Sequence, residues 1–148
     1  ATGERLTTKY EFFDVLKNNA ASIIQMNLGR VGGILEAKKI ASIAEVYYAQ
    51  IAPHLYNGPI GAAASIQLST ATPNFLIMES IMTWGGFHAE VLTESINWNN
   101  GNIIPSAKPG LGIELNFEVV ESNSPYKEKK LHLSMDQKPY YVDDESSN

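Results

Sequence analysis

Apolar positions along this chain follow a pattern that recurs three times and then stops. In LTTKYEFFDVLKNNAA (residues 6–21) Phe12, Phe13 and Leu16 form a helical stripe. Thr7 or Thr8 supplies the cap, Glu11 lies three residues beyond Thr8 as the far half of a capping box, and Asn18-Asn19 ends the helix. ASIIQMN (21–27) is a short β-favouring run centred on Ile23 and Ile24, and LGRVGG (28–33) reads as a turn. In ILEAKKIASIAEVYY (34–48) Ile34, Ala37, Ala41, Ala44 and Tyr48 fall at three- and four-residue steps. That predicts an amphipathic helix with Glu36, Lys38, Lys39 and Glu45 mostly outward. The pattern then returns: AQIAPH (49–54) as a strand, LYNGP as a turn, and IGAAASIQLSTA (60–71) as a small-residue helix with Pro59 near its first turn. Thr72-Pro73-Asn74 breaks that helix, and FLIMES (75–80) is the next strand.

Short, nearly all-apolar strands alternating with helices describe an α/β protein whose parallel strands are joined by crossover helices and buried on both faces. After residue 80 the alternation fails. Gly, Asn and Pro punctuate possible strands at NIIP (102–105) and GIELNFEVV (112–120). From SPYKEKK onward the chain is polar and reads as an extended arm. The resulting division is 1–90, 91–120 and 121–148.

At 148 residues the chain has the length of one ordinary domain. Its formal net charge of -5 argues against a nucleic-acid partner. KEKK (127–130) is short, carries Glu128 and fits a solvated face. The absence of cysteine excludes disulfides, thiolate metal sites and a thiol nucleophile. No apolar run approaches the ~20 residues of a membrane span, and no signal-peptide pattern is present. A soluble cytoplasmic protein without a membrane partner is the expectation. The opening ATGERL lacks an initiator methionine and reads as a start in mid-architecture.

Candidate chemistry gathers at the predicted strand ends: Glu4, Asn27, His54 and Glu79, spaced roughly one strand-helix unit apart. In a parallel barrel such ends open on one face and converge on one pocket. Taken singly, each has a plainer role. His54 fits a turn or packing histidine, Glu4 a solvated charge, and Asn27 a turn residue beside Gly29. Glu79 is drawn into an apolar neighbourhood by the preceding FLIM. Four in phase suggest more. A carboxylate such as Glu4 is a hard ligand for Mg²⁺, a histidine exchanges protons near neutral pH, and Glu79 can hydrogen-bond an oxygen that gains charge. His88 and His132 lack strand-end context and read as structural or surface residues. GRVGG departs from G-x-G-x-x-G and reads as tight turning rather than a phosphate cradle.

The segments ATGER, IIQMNLGRVGGILEAKKIASIAEVYYAQIAPHLYNGPIGAAASIQL, NFLIMES and NGNIIPSAKPGLGIEL together resemble the carboxyl-terminal half of the enolase superfamily, mandelate racemase subgroup. Sugar-acid (gluconate and arabinonate) dehydratases are the nearest in wording, over roughly residues 1–115. The resemblance implies the C-terminal half of a (β/α)8 TIM-type barrel, strands five to eight, with a closing segment that returns to a capping domain. It implies that Glu4 is a ligand of Mg²⁺, that His54 is the seventh-strand catalytic histidine, and that Glu79 binds substrate. Arg30, where members vary, is a weaker substrate contact.

Asn27 stands where the family has an aspartate partner for the histidine. It can orient the ring but cannot stabilise an imidazolium with negative charge, which leaves His54 open between base and acid. The family's other metal ligands and its amino-terminal capping domain have no counterpart here. The expectation is a fragment, a truncated product, or one chain of a pair completed by the amino-terminal half of a barrel. Such a chain would be inactive alone, and the complete enzyme would be a homo-oligomer. The implied reaction removes water from an aldonic acid to give a 2-keto-3-deoxy acid. A racemase or epimerase on the same fold, or an interaction module without activity, are the alternatives.

Overall fold

The computed structural model describes residues 1–80 and 84–123. The polar arm from 124, KEKK and His132 lie outside the described residues. Four extended segments run parallel in chain order. Thr2 bridges Ile24, β1 (Ile23–Ile24) pairs with β2 (Gln50–Ile51), and Ile51 bridges Phe75. The crossovers between them are helical: α1 (Lys9–Lys17), then α2 (Leu28–Val31) with α3 (Ile34–Val46), then α4 (Pro59–Thr70). The predicted strand-helix alternation is therefore present.

The capping box of α1 forms as its spacing predicts, with Thr8 as the N-cap. The Glu11 carboxylate accepts the backbone N–H groups of Thr7 and Thr8 at 2.9 and 2.7 Å, and both threonine hydroxyls. Those donors favour its charged form and hold its pKa down at about 2, against an ordinary 4.5. A depressed carboxylate stabilises the fold above its ordinary pKa and loses that contribution as pH falls through the depressed value. We therefore predict that the urea midpoint falls between pH 4.5 and about 2, and that Glu11→Gln flattens this part of the profile. Identical profiles for the two proteins would show that the box contributes nothing.

One layer of core fills the space between sheet and helices. Phe12 and Leu16 of α1, Ile24 of β1 and Met26 just beyond it, Ile51 of β2, Ala37, Ile40, Ala41 and Ala44 of α3, and Leu68 of α4 are all buried there. The small residues on α3 let it sit between α1 and α4. Gly3 has φ +136°, and a Cβ there would lie 2.7 Å from the Phe12 ring. Its lack of a side chain is what lets α1 close on the first strand. Asn74 ties the last crossover down by donating to the carbonyls of Ala41 and Ala49 at 3.0 and 2.9 Å.

Several expectations need correction. LGRVGG is not simply a turn: Leu28–Val31 forms α2, which Asn27 caps and Gly32 ends at φ 98° in the left-handed region. On α1 Phe13 is exposed, and on α3 the inward stripe contains Ile40 while Ile34 is exposed. Tyr48 lies beyond the helix end with φ 56° and is almost fully exposed. FLIMES joins the sheet through a bridge at Phe75. Ile51 donates to Asn74 O and Leu76 donates to Ile51 O, but the next rung would need an N–H at Pro53, which has none. The following bond comes from Glu79 to Pro53 O at 3.4 Å, three residues after Leu76 rather than two. GIELNFEVV is not a strand either: only Leu115 bridges, to Leu92, and α6 (Phe117–Ser122) follows from its Asn116 cap.

NIIP does contribute a strand. β3 (Trp98–Asn99) and β4 (Asn102–Ile103) form an antiparallel hairpin around Asn100-Gly101. Trp84 and Trp98 pack their rings at a 41° tilt, centroids 5.4 Å apart, with Leu55 and Ala62, and Met78 and Ile103 lie alongside. Gln67 of α4 donates to Leu111 O at 3.3 Å. This closing segment, which includes the short α5 (Phe87–Glu90), is thereby fastened to α4 and the end of β2. Among the described residues no helix is long and apolar enough to cross a membrane.

Candidate active site

The β1–β2 register pairs Ile23 with Gln50 and Ile24 with Ile51. Continued by the bond from His54 N–H to Met26 O at 3.0 Å, it sets His54 opposite Asn27. Because strand side chains alternate, both residues leave the sheet on the face opposite the one that Ile24, Met26 and Ile51 bury in the core. The ladder thus delivers an imidazole and an amide side by side: Asn27 Nδ2 lies 2.9 Å from His54 Nδ1.

The two flanking segments bring carboxylates to the other ring nitrogen. His54 Nε2 lies 3.4 Å from Glu4 Oε2 and 3.7 Å from Glu79 Oε2. The backbone N–H of Leu55 donates to Glu79 Oε2 at 2.8 Å, which aims that carboxylate at the ring. The histidine side chain is only 18% exposed, whereas those of Glu4 and Glu79 are 56% and 44% exposed. The imidazole therefore forms the floor, with carboxylates on the rim.

All four strand-end residues picked out from the sequence meet at this point. Arg30 lines the same cavity, of about 680 Å³, together with Glu4, Asn27 and His54. Its backbone N–H donates to Asn27 Oδ1 at 3.3 Å. Three further residues escaped the sequence reading. Asn57 donates to Asn27 Oδ1 at 3.3 Å, Arg5 lies 3.8 Å from Glu4, and Tyr56 lines the cavity. Asn57 sits in LYNGP, where turn composition accounts for it and conceals its bond. Gly61 permits that bond, since a Cβ there would lie 2.8 Å from the Asn57 Cβ. His88 is exposed on α5, beside Gly58.

Mg²⁺ asks for near-octahedral oxygen coordination. Among the described residues no three His, Asp or Glu side chains gather as a metal-holding group, and one Glu79 oxygen already accepts from Leu55. These residues do not fit a magnesium site of their own. Glu4 is one carboxylate donor facing the cavity.

Comparison with known proteins agrees with this architecture. A D-galactonate dehydratase of Pectobacterium atrosepticum is 38% identical over 133 residues, covering 84% of this chain and 34% of that protein. A D-xylonate dehydratase of Haloferax volcanii is 37% identical, over 83% of this chain and 30% of its own length. The chain spans about a third of the length of these curated relatives. A solved structure from Burkholderia SAR-1, named for the mandelate racemase/muconate lactonizing enzyme group, superposes with a TM-score of 0.81 at 68% identity. It covers 93% of this chain and 34% of that one. Residues 1–119 match the family model described as enolase C-terminal domain-like. With four parallel extended segments, joined by helical crossovers, that open on a shared polar rim, the chain belongs to the enolase C-terminal domain-like family and carries the α/β fold of the carboxyl-terminal half of its barrel.

Proposed function

We propose that this chain forms part of a sugar-acid dehydratase, a hydro-lyase that eliminates water from an aldonic acid to give a 2-keto-3-deoxy acid. One observation carries the reading: over 84% and 83% of its length the chain is 38% and 37% identical to two proteins named D-galactonate and D-xylonate dehydratase. The geometry supports it chemically. Loss of a proton from carbon two and of the 3-hydroxyl needs polar groups around one small region of substrate, and Glu4, His54 and Glu79 surround one point. In this reading His54, held by Asn27, meets the reacting oxygen. Glu79 binds the substrate carboxylate end, and Arg30 is a peripheral substrate contact.

The magnesium centre of such an enzyme takes Glu4 as one ligand. It draws its other carboxylates from the amino-terminal half of a barrel, in a longer chain or a second one. The same completion covers the open edge beside Phe75, and the whole assembles as a homo-oligomer. The 148 residues alone are inactive in this reading, because one carboxylate does not make a site for the ion.

The test is a product assay with Mg²⁺ on the assembly that contains the chain, isolated from its source through a tag, against a panel of aldonic acids. The expected result is a 2-keto-3-deoxy acid from at least one substrate, lost when Mg²⁺ is chelated. An inverted hydroxyl in place of a ketone would make the protein a racemase. No turnover of any acid by the complete assembly would leave a binding module.

A further inference from the structure

The amide of Asn27 is held in one orientation by a group that can act in only one way, the backbone N–H of Arg30. Its Oδ1 faces the backbone N–H of Arg30 at 3.3 Å and the side-chain nitrogen of Asn57 at 3.3 Å. A backbone N–H donates and never accepts, so the Asn27 atom that meets it is the oxygen. The amide nitrogen is then the atom that faces His54 Nδ1, at 2.9 Å. An amide nitrogen also only donates, so Nδ1 has to present its lone pair. A neutral imidazole carries one ring proton, and that proton is therefore on Nε2.

We propose that Asn27 is a positioning residue that holds His54 in the Nε2–H tautomer, so that the ring offers the cavity a hydrogen-bond donor and not a lone pair. An aspartate in place of Asn27 would do the reverse: its carboxylate accepts a hydrogen bond from Nδ1–H, which leaves the lone pair on Nε2. The inference deepens the dehydratase reading and rests on it only for its consequence. With Nε2 already protonated, His54 serves as a donor to a substrate oxygen, and the base that removes the carbon-two proton stands elsewhere.

The test reads the ring directly and needs no turnover. Long-range ¹H–¹⁵N correlation spectra of the full chain, labelled on its histidine rings, are recorded at about pH 8.5, above the ordinary histidine range of ~6.5. His54 is assigned by its loss in His54→Gln. The expected pattern is protonated-type Nε2 with pyridine-type Nδ1 in the native protein, without the averaging of a free ring that samples both tautomers. In Asn27→Asp the pattern inverts to Nδ1–H, and Asn27→Ala restores averaging. A native ring that averages, or an Asn27→Asp ring still in the Nε2–H form, overturns the proposal. If Asn27→Asp does not fold, the native and Asn27→Ala spectra decide it. These outcomes are independent of whether any aldonic acid is dehydrated, so a failed tautomer and a failed dehydratase reading are told apart.

Discussion

If the proposed dehydratase reading holds, His54→Ala is expected to lower the kcat of the complete assembly by about 10²- to 10³-fold, the usual loss when a single positioned donor to a developing oxyanion is removed. The ring makes three side-chain contacts that a methyl cannot replace, to Asn27 at one nitrogen and to Glu4 and Glu79 at the other. Its backbone rung to Met26 O survives the change, so the sheet is left in place. KM should move less than kcat, because binding of the carboxylate end falls to other residues in the proposed arrangement. Single-turnover kinetics with matched circular dichroism spectra would check this. An unchanged rate would remove His54 from the chemistry.

Phe12→Ala is the substitution expected to cost most stability, about 3–5 kcal/mol. Phe12 has no exposed surface, and its ring edge occupies the space that Gly3 leaves by lacking a Cβ. Neighbouring groups cannot simply collapse into the gap. Leu16, Ile24 and Met26 around it belong to elements that are tied by the sheet and the capping box. Against a typical total of about 5–15 kcal/mol, the loss consumes much of the stability of the chain. Urea unfolding of the two proteins side by side measures it. A difference below about 1 kcal/mol would mean that α1 is not anchored by this ring.

Legibility in the sequence followed the distance over which each signal acts. The capping box of α1 was readable because Thr8 and Glu11 lie within one turn of each other. The positions of Glu4, Asn27, His54 and Glu79 were readable because strand-helix units repeat, and a residue at the end of each lands on one rim. Pro53 spoils a strand that lies more than 20 residues further along, at Phe75–Ser80, and nothing local to FLIMES signals it. α2 is four residues long, too short for a period, and it is set by the Asn27 cap. In GIELNFEVV the β-branched Val119 and Val120 suggested a strand, while the cap at Asn116 decided for a helix. At the site itself, Asn57 was hidden because its turn role explains it fully until its bond to Asn27 is seen.

Asn27 performs two tasks with one side chain: its oxygen starts α2 and its nitrogen holds the histidine. Asparagine and aspartate are about equally good helix caps, whereas alanine in their place costs about 1 kcal/mol. They are also one codon base apart. A lineage can therefore exchange one for the other with the helix start intact, while the partner imidazole passes between proton donor and proton acceptor. The reaction repertoire of this scaffold can drift along a path that selection for folding does not see.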